Sequence, residues 1–149
     1  MIKKLIALVL LTTYLFSSNF ELNSNINSFT LPDQFEKTHT VDSNTKTIIV
    51  SSEKATSSAL NEFLGAKEKG FLESNNAVFI ADISGMPSLI TKFFALPKMK
   101  KYNYNVLLIT EENDDRFKKQ EEKLTVYKLE NGVITTINYV SKEEIPSIF

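Results

Sequence analysis

The chain has 149 residues, 42% of them hydrophobic, and a formal net charge of −1, enough for one domain around one core and too short for two ordinary ones. With more acids than basic residues and the lysines read as scattered among those acids, the composition argues against the concentrated basic face that displaces counterions from a duplex, and so against nucleic-acid binding. It contains no cysteine, which removes disulfides, thiolate metal sites, thiol–disulfide exchange and lipid attachment through a cysteine together.

Lys3 and Lys4 precede an apolar run, Leu5–Phe16 (LIALVLLTTYLF), and Ser17, Ser18 and Asn19 follow at once. This is the pattern of a secretory signal peptide over residues 1–18, cut near Ser18 or Asn19. The run is shorter than the roughly 20 residues of a spanning helix. Phe16 lies third back from a cut after Ser18, where a small residue is preferred, so an uncleaved N-terminal anchor is the alternative. Cleavage takes away two lysines and no acid, leaving 15 basic side chains against 18 acidic ones. The mature chain is then expected to be periplasmic or secreted, with no membrane span.

Residues 19–28, with the Asn-rich Glu21–Ser28 (ELNSNINS), form a polar lead-in with little to bury, either mobile or an edge segment. Phe29–Leu31 and Lys37–Val41 read as a hairpin around Pro32-Asp33-Gln34-Phe35-Glu36, and Asp42–Asn44 as a turn. Thr45–Val50 (TKTIIV) is the first core strand. Ser51 or Ser52, with Glu53 and Lys54, ends it and caps a helix whose Ala59, Leu60, Phe63 and Leu64 share one side, with Gly65 as its stop. Residues 66–75 are a charged connection in which Phe71 and Leu72 fit one more helical turn.

Ala77–Ile83 (AVFIADI) is apolar at nearly every position, the pattern of a central strand covered on both faces. Ser84 fits a helix N-cap, Gly85 a sharp turn and Pro87 a first helical turn. Ile90, Phe93, Phe94 and Pro97 stand at i, i+3, i+4 and i+7, which predicts a stripe packed on the sheet, with a break or kink at Pro97. Lys98, Lys100 and Lys101 then enter solvent. Asn105–Thr110 is the next strand, and Glu111–Lys123 a charged segment. Leu124–Leu129 and Val133–Val140 form a hairpin through Asn131-Gly132. Ser141 caps a short final helix through Glu143 and Glu144, ending in Ile145, Ile148 and Phe149.

This order of elements resembles the thioredoxin-like superfamily, an α/β fold with a central mixed sheet flanked by helices. The opening FTLPDQFEKTHTV is similar to the edge hairpin of its peroxiredoxin-type members, where a "dq-x-gk-x-h" run precedes the first core strand. The resemblance spans Phe29–Phe149. It implies a redox cysteine just after the first core strand, where this chain has Ser51, Ser52, Glu53 and Lys54. It also implies a proline before the third core strand, where this chain has Asn103, Tyr104 and Asn105. With both hallmarks missing, the family's thiol chemistry is not carried over, and what remains is its use as a binding surface.

The remaining candidates are few. His39 is the only histidine, and without a second imidazole or a thiolate it reads as a polar edge-strand residue rather than a metal ligand. Ser51 and Ser52 have no identifiable general base, so capping accounts for them. Asp82, at the end of a buried strand beside a helix start, is placed either to contact a ligand or to hold the turn through the Ser84 and Gly85 amides. Glu111, Glu112, Asp114 and Asp115 lack the spacing and central glycine of a calcium loop and read as a solvated segment. Phe93, Phe94 and Met99 read as core by spacing. Tyr102 and Tyr104, among lysines and asparagines, suit a partner surface.

Two functions follow. The first is an exported, non-catalytic module that binds an envelope protein or peptide. Its face is formed by Ser51–Lys54 (with Ser52 and Lys54), Ser84–Ser88 (with Ser84, Gly85, Met86 and Pro87) and Lys101–Asn105 (with Tyr102 and Tyr104), the loops that the resemblance brings together. The second is an envelope enzyme or cofactor carrier that holds a small ligand or cofactor at Asp82 and the Ser84-Gly85 helix start, where free amides receive an anion. The first needs no cofactor, the second names no particular one, and no metal is expected.

Overall fold

Ile48 and Ile49 are neighbours in sequence and both are fully buried, which a strand achieves only where both faces of its sheet are covered. The computed structural model describes residues 19–149, so the segment read as a signal peptide, 1–18, lies outside the described residues. In chain order the elements begin with the antiparallel hairpin β1 (Phe29–Pro32) and β2 (Thr38–Val41). Next come β3 (Thr47–Ser51), α1 (Lys54–Gly65), the single turn α2 (Phe71–Ser74) and β4 (Ala77–Asp82). A helical stretch follows, made of α3 (Ser88–Ile90), a π-helical turn (Thr91–Ala95) and α4 (Leu96–Met99). It leads to β5 (Leu107–Ile109), β6 (Leu124–Glu130), β7 (Val133–Val140) and a 3-10 helix (Lys142–Ile148).

The five core strands lie in the order β5-β4-β3-β6-β7. β3, β4 and β5 run parallel, while β6 and β7 are antiparallel to their neighbours. The result is a mixed five-stranded sheet flanked by helices. On one face Ile49, Phe79 and Val126 meet Leu60 and Leu64 of α1 and Ile145 and Ile148 of the last helix. On the other, Ile48, Val50 and Tyr127 are covered by the hairpin residues Leu31 and Val41 and by Phe20 and Phe117. Phe20 makes edge-on ring contacts with Phe117 at 5.0 Å and Tyr127 at 5.7 Å between centroids, an arrangement that aromatic quadrupoles favour.

The lead-in takes its edge form: Asn25 bridges Val133, the Ile26 amide donates to the Gly132 carbonyl, and Phe20 and Ile26 are buried. The Asn131-Gly132 turn has φ of 49° and 80°, the paired left-handed geometry of a tight two-residue hairpin. Ser141 and Glu144 form the reciprocal capping box of the final helix.

Three local expectations are corrected. α1 begins after Glu53 with no side-chain cap, because the Ser51 hydroxyl is buried inside the loop instead. Ser84 does not cap a helix; its amide and hydroxyl both donate to Asp82 Oδ1, at 3.0 and 2.6 Å, and the helix starts later, at Ser88 after Pro87. The stripe of Ile90, Phe93 and Phe94 faces outward, with Phe93 61% and Phe94 68% exposed. Met86, Leu96 and Met99 are the residues that pack on the core. This segment carries two apolar faces, and periodicity alone does not say which one the sheet takes. The Leu96 amide bonds five residues back to the Thr91 carbonyl, a widened turn directly ahead of Pro97, whose ring clashes with the carbonyl four residues back in an ordinary α-helix.

Candidate functional site

The parallel strands β3 and β4 end side by side, and β6, antiparallel to β3, begins at the same end, with Val50 opposite Thr125. Three loops therefore meet there: Ser51–Lys54, Ser84–Ser88 and residues 118–123. They are laced together. Lys119 Nζ donates to Asp82 Oδ2 at 2.6 Å, and the Glu122 amide donates to Glu53 Oε1 at 3.0 Å. Thr125 Oγ1 donates to the Lys118 carbonyl, and the Lys118 amide donates to the Tyr127 hydroxyl.

At this end Asp82 is the most enclosed charge, its side chain 6% exposed. Burial alone would raise its pKa, but hydrogen bonds from Lys119 and from the Ser84 hydroxyl and amide outweigh that and hold the carboxyl below the ordinary carboxylate range. It is an ionised, partnered group rather than a base poised near neutrality. Ser51, 1% exposed, has its hydroxyl 2.6 Å from Ser57 Oγ, 3.0 Å from Thr56 Oγ1 and 3.1 Å from the Glu53 carbonyl. All its partners are hydroxyls or a carbonyl. Among the described residues no imidazole, amine or carboxylate is set to remove its proton, and its hydrogen bonds tie the end of β3 to the start of α1.

What this end shows to solvent is Lys54, Gly85 and Pro87, with Ser52, Ser84 and Met86 half-buried. Its neighbour is an open depression of about 470 Å³ lined by Glu112, Asn113, Asp114, Asp115, Phe117 and Lys119. Arg116 Nε donates to Asp114 Oδ1 at 2.8 Å, and that hydrogen bond holds the Asp114 carboxyl below its ordinary value against the opposing effect of burial.

Tyr102 and Tyr104 do not join this face. They precede β5, which is parallel to β4, so they lie at the opposite end of the sheet, where Asn103 Nδ2 bonds the Lys67 carbonyl just past α1. There Asn61 receives the Tyr104 hydroxyl at 2.5 Å and donates to the Tyr102 oxygen at 3.0 Å, and the two rings stack at 5.1 Å. Burial pushes both phenols above their ordinary pKa. They pack the core rather than offer a partner surface. The strand that runs beside β3 is β6, and the residues before it, Glu121, Glu122 and Lys123, also contain no proline.

The motif around His39 has a structural explanation too. Asp33, its side chain 2% exposed, accepts His39 Nε2 at 2.6 Å and the amides of Phe35 and Lys37 at 2.8 and 3.0 Å. Gln34 is fully buried, donates to the Tyr104 carbonyl at 2.8 Å and accepts the Val106 amide at 3.0 Å. Where the resembled run has glycine, Glu36 stands at φ 62°.

Sequence reasoning missed Lys119 and Glu122, which sit in the stretch read as a solvated loop. Their partners, Asp82 and Glu53, are brought to them only by the β3–β6 pairing. It also missed the exposed face of the helical stretch. The signal for that face was present: Ile83–Thr110 contains four lysines and no acid.

Sheet order, the edge hairpin and the helix after the first core strand define a thioredoxin-like fold, here without any cysteine. Among solved structures, the chain is similar to peroxidoxin BcpB from Mycobacterium tuberculosis, with TM-score 0.56 and 11% identity over 87% of this chain and 93% of that one. It is also similar to the thioredoxin domain of a thiol-disulfide oxidoreductase from Bacteroides vulgatus (TM-score 0.54, 12% identity, 86% and 95% covered). A third likeness is to a SCO1/SenC family lipoprotein from Bacillus anthracis (TM-score 0.50, 12% identity, 81% and 86% covered). No family model and no curated protein matches the sequence. Among the described residues, no helix is long and apolar enough to cross a membrane.

Proposed function

We infer that this is an exported, non-catalytic thioredoxin-like module that binds an envelope protein or peptide at the loop end of its sheet. One observation carries the reading: at the position where the fold's thiol chemistry sits, Ser51 is sealed into a hydroxyl knot with no base beside it, while Ser52, Lys54, Met86 and Pro87 still offer a surface. A lipoprotein and an oxidoreductase with the same fold supply the analogy for an envelope setting. The small-ligand alternative at Asp82 is disfavoured, because the carboxylate already has three donors and the Ser84 amide is one of them.

The test is site-specific photo-crosslinking in intact cells of the source organism, with a benzophenone side chain placed at Met86 or Ser52 and, as control, at the exposed Thr136 of β7. One discrete adduct from Met86 and Ser52, absent from Thr136, is expected. An identical adduct pattern from all three positions, or none from any, overturns the reading.

A further inference from the structure

Seven large hydrophobic side chains are exposed among the described residues, and four of them stand together on the helical stretch: Leu89 at 67%, Ile90 at 44%, Phe93 at 61% and Phe94 at 68%. A contiguous apolar patch of this kind on an otherwise well-packed domain marks an interaction site. The helix is fixed from behind, because Met86, Leu96 and Met99 lock its other side into the core. The outward face is therefore presented, not merely left over.

The charge around it is one-sided. Between Ile83 and Thr110 there is no Asp or Glu, and Lys92, Lys98, Lys100 and Lys101 all lie on or just after the helix, in a chain whose net charge is −1. Among the described residues, no ion pair involves these lysines. Lys92 Nζ lies 5.6 Å from the Phe93 ring centre, so cation and aromatic ring share one rim. Three depressions of the described surface, at Glu112–Lys119, at Lys128–Ile148 and at His39–Leu107, are lined by other residues. The patch is a projecting one that inserts into something rather than a groove that accepts a peptide.

Projecting Phe, Leu and Ile side chains with exposed lysines on the same helical stretch and just after it match an interfacial membrane helix. We propose that the Ser88–Met99 helix is a docking face for an anionic lipid bilayer, with Phe93 and Phe94 entering the acyl boundary and the lysines meeting headgroup phosphates. Residues 1–18, read from the sequence as a signal peptide or, if uncleaved, an N-terminal anchor, would bring the domain to the envelope where such surfaces lie. The docking face is separate from the loop end proposed above for protein binding, and either reading can fail without the other.

The absence of cysteine makes a direct test possible. The mature chain, residues 19–149, carrying Leu89→Cys is labelled with the polarity-sensitive fluorophore NBD, and a second sample carries the label at Thr136→Cys on β7. Both are mixed with vesicles of phosphatidylglycerol and phosphatidylcholine, 1:1. A blue shift with increased emission at position 89 and none at 136 is expected. Partitioning should weaken about fivefold for each of Lys100 and Lys101 changed to Gln, and should largely vanish in Phe93→Ser/Phe94→Ser, whose exposed sites leave the circular dichroism unchanged. No shift at 89 overturns the proposal and leaves a protein as the occupant. An equal shift at 136 overturns it as general adsorption, and a shift that appears without vesicles as protein concentration rises overturns it in favour of a second copy of the chain.

Discussion

Gln34 and Val106 are 72 residues apart in sequence, and the Gln34 side-chain oxygen accepts the Val106 amide at 3.0 Å in the protein interior. The same side chain donates to the Tyr104 carbonyl at 2.8 Å. One amide thus serves as the clasp between the edge hairpin and the approach to β5, supplying a backbone donor and a backbone acceptor that have no strand partner there.

Replacing that amide with an apolar group of similar size leaves both backbone groups buried and unmatched. Each costs about 1–3 kcal/mol, so Gln34→Leu is expected to lose roughly 2–5 kcal/mol. Urea unfolding followed by circular dichroism measures it; a loss under about 1 kcal/mol would show that water reaches the clasp.

Glu36 offers the opposite opportunity. Its φ of 62° lies in the left-handed region, where a side chain costs about 1–2 kcal/mol and glycine pays no such penalty, though glycine gives part of this back through its freer unfolded chain. Glu36 is exposed, and no side-chain bond is lost with it. Glu36→Gly is expected to raise the unfolding free energy by about 0.5–1 kcal/mol, read as a higher urea midpoint at unchanged slope.

The division between what was legible and what was not has a physical basis. Strands such as Ala77–Ile83 and turns such as Asn131-Gly132 depend on neighbours in sequence, and both formed as read. The run Asp33-Gln34…His39 also carried real information, although about a hairpin clasp rather than about chemistry. Side-chain destination is different, because it depends on what arrives from elsewhere. Phe93 and Phe94 have the spacing of core residues, yet Leu96 and Met99 take the core. Tyr102 and Tyr104 look like a surface pair among lysines, yet Asn61, from another helix, draws them inward. The loop end was misassembled for the same reason: the strand on β3's far side from β4 is β6, so the chain's third loop there is 118–123 and not 101–105.

Acid should weaken the fold in a defined window. In Asp33, burial opposes ionisation, but the hydrogen bonds from His39 and from the Phe35 and Lys37 amides prevail, and the carboxyl sits below its ordinary value. Asp82 and Asp114 are shifted the same way. Each group binds a proton more weakly in the folded state than in the unfolded chain, so the unfolded state takes up protons first as pH falls. The stability these carboxylates contribute is complete above the unfolded value of about 4 and is lost as pH drops through the lower folded values. Urea midpoints from pH 7 to pH 2.5 are expected to be flat to about pH 5 and then to fall. Asp33→Asn should be less stable at pH 7 and should fall less steeply.

The pair Asp82–Lys119 permits the sharpest test of how the loop end is held. Lys119 Nζ reaches Asp82 Oδ2 at 2.6 Å, but the lysine side chain is 48% exposed while the carboxylate is 6% exposed. Solvent screens the lysine's half of the interaction, which limits its contribution to about 1 kcal/mol. Losing the lysine also leaves a largely buried carboxylate with only Ser84 as partner, which adds to the cost. Lys119→Met is therefore expected to destabilise by about 1–2 kcal/mol, whereas Lys119→Met in an Asp82→Asn background should cost less, because no buried charge is stranded. A double-mutant cycle with a coupling energy of about 1 kcal/mol would confirm that this ion pair ties residues 118–123 to β4; additivity within about 0.3 kcal/mol would mean that the Glu122–Glu53 bond and the Lys118–Tyr127 bond hold the segment without it.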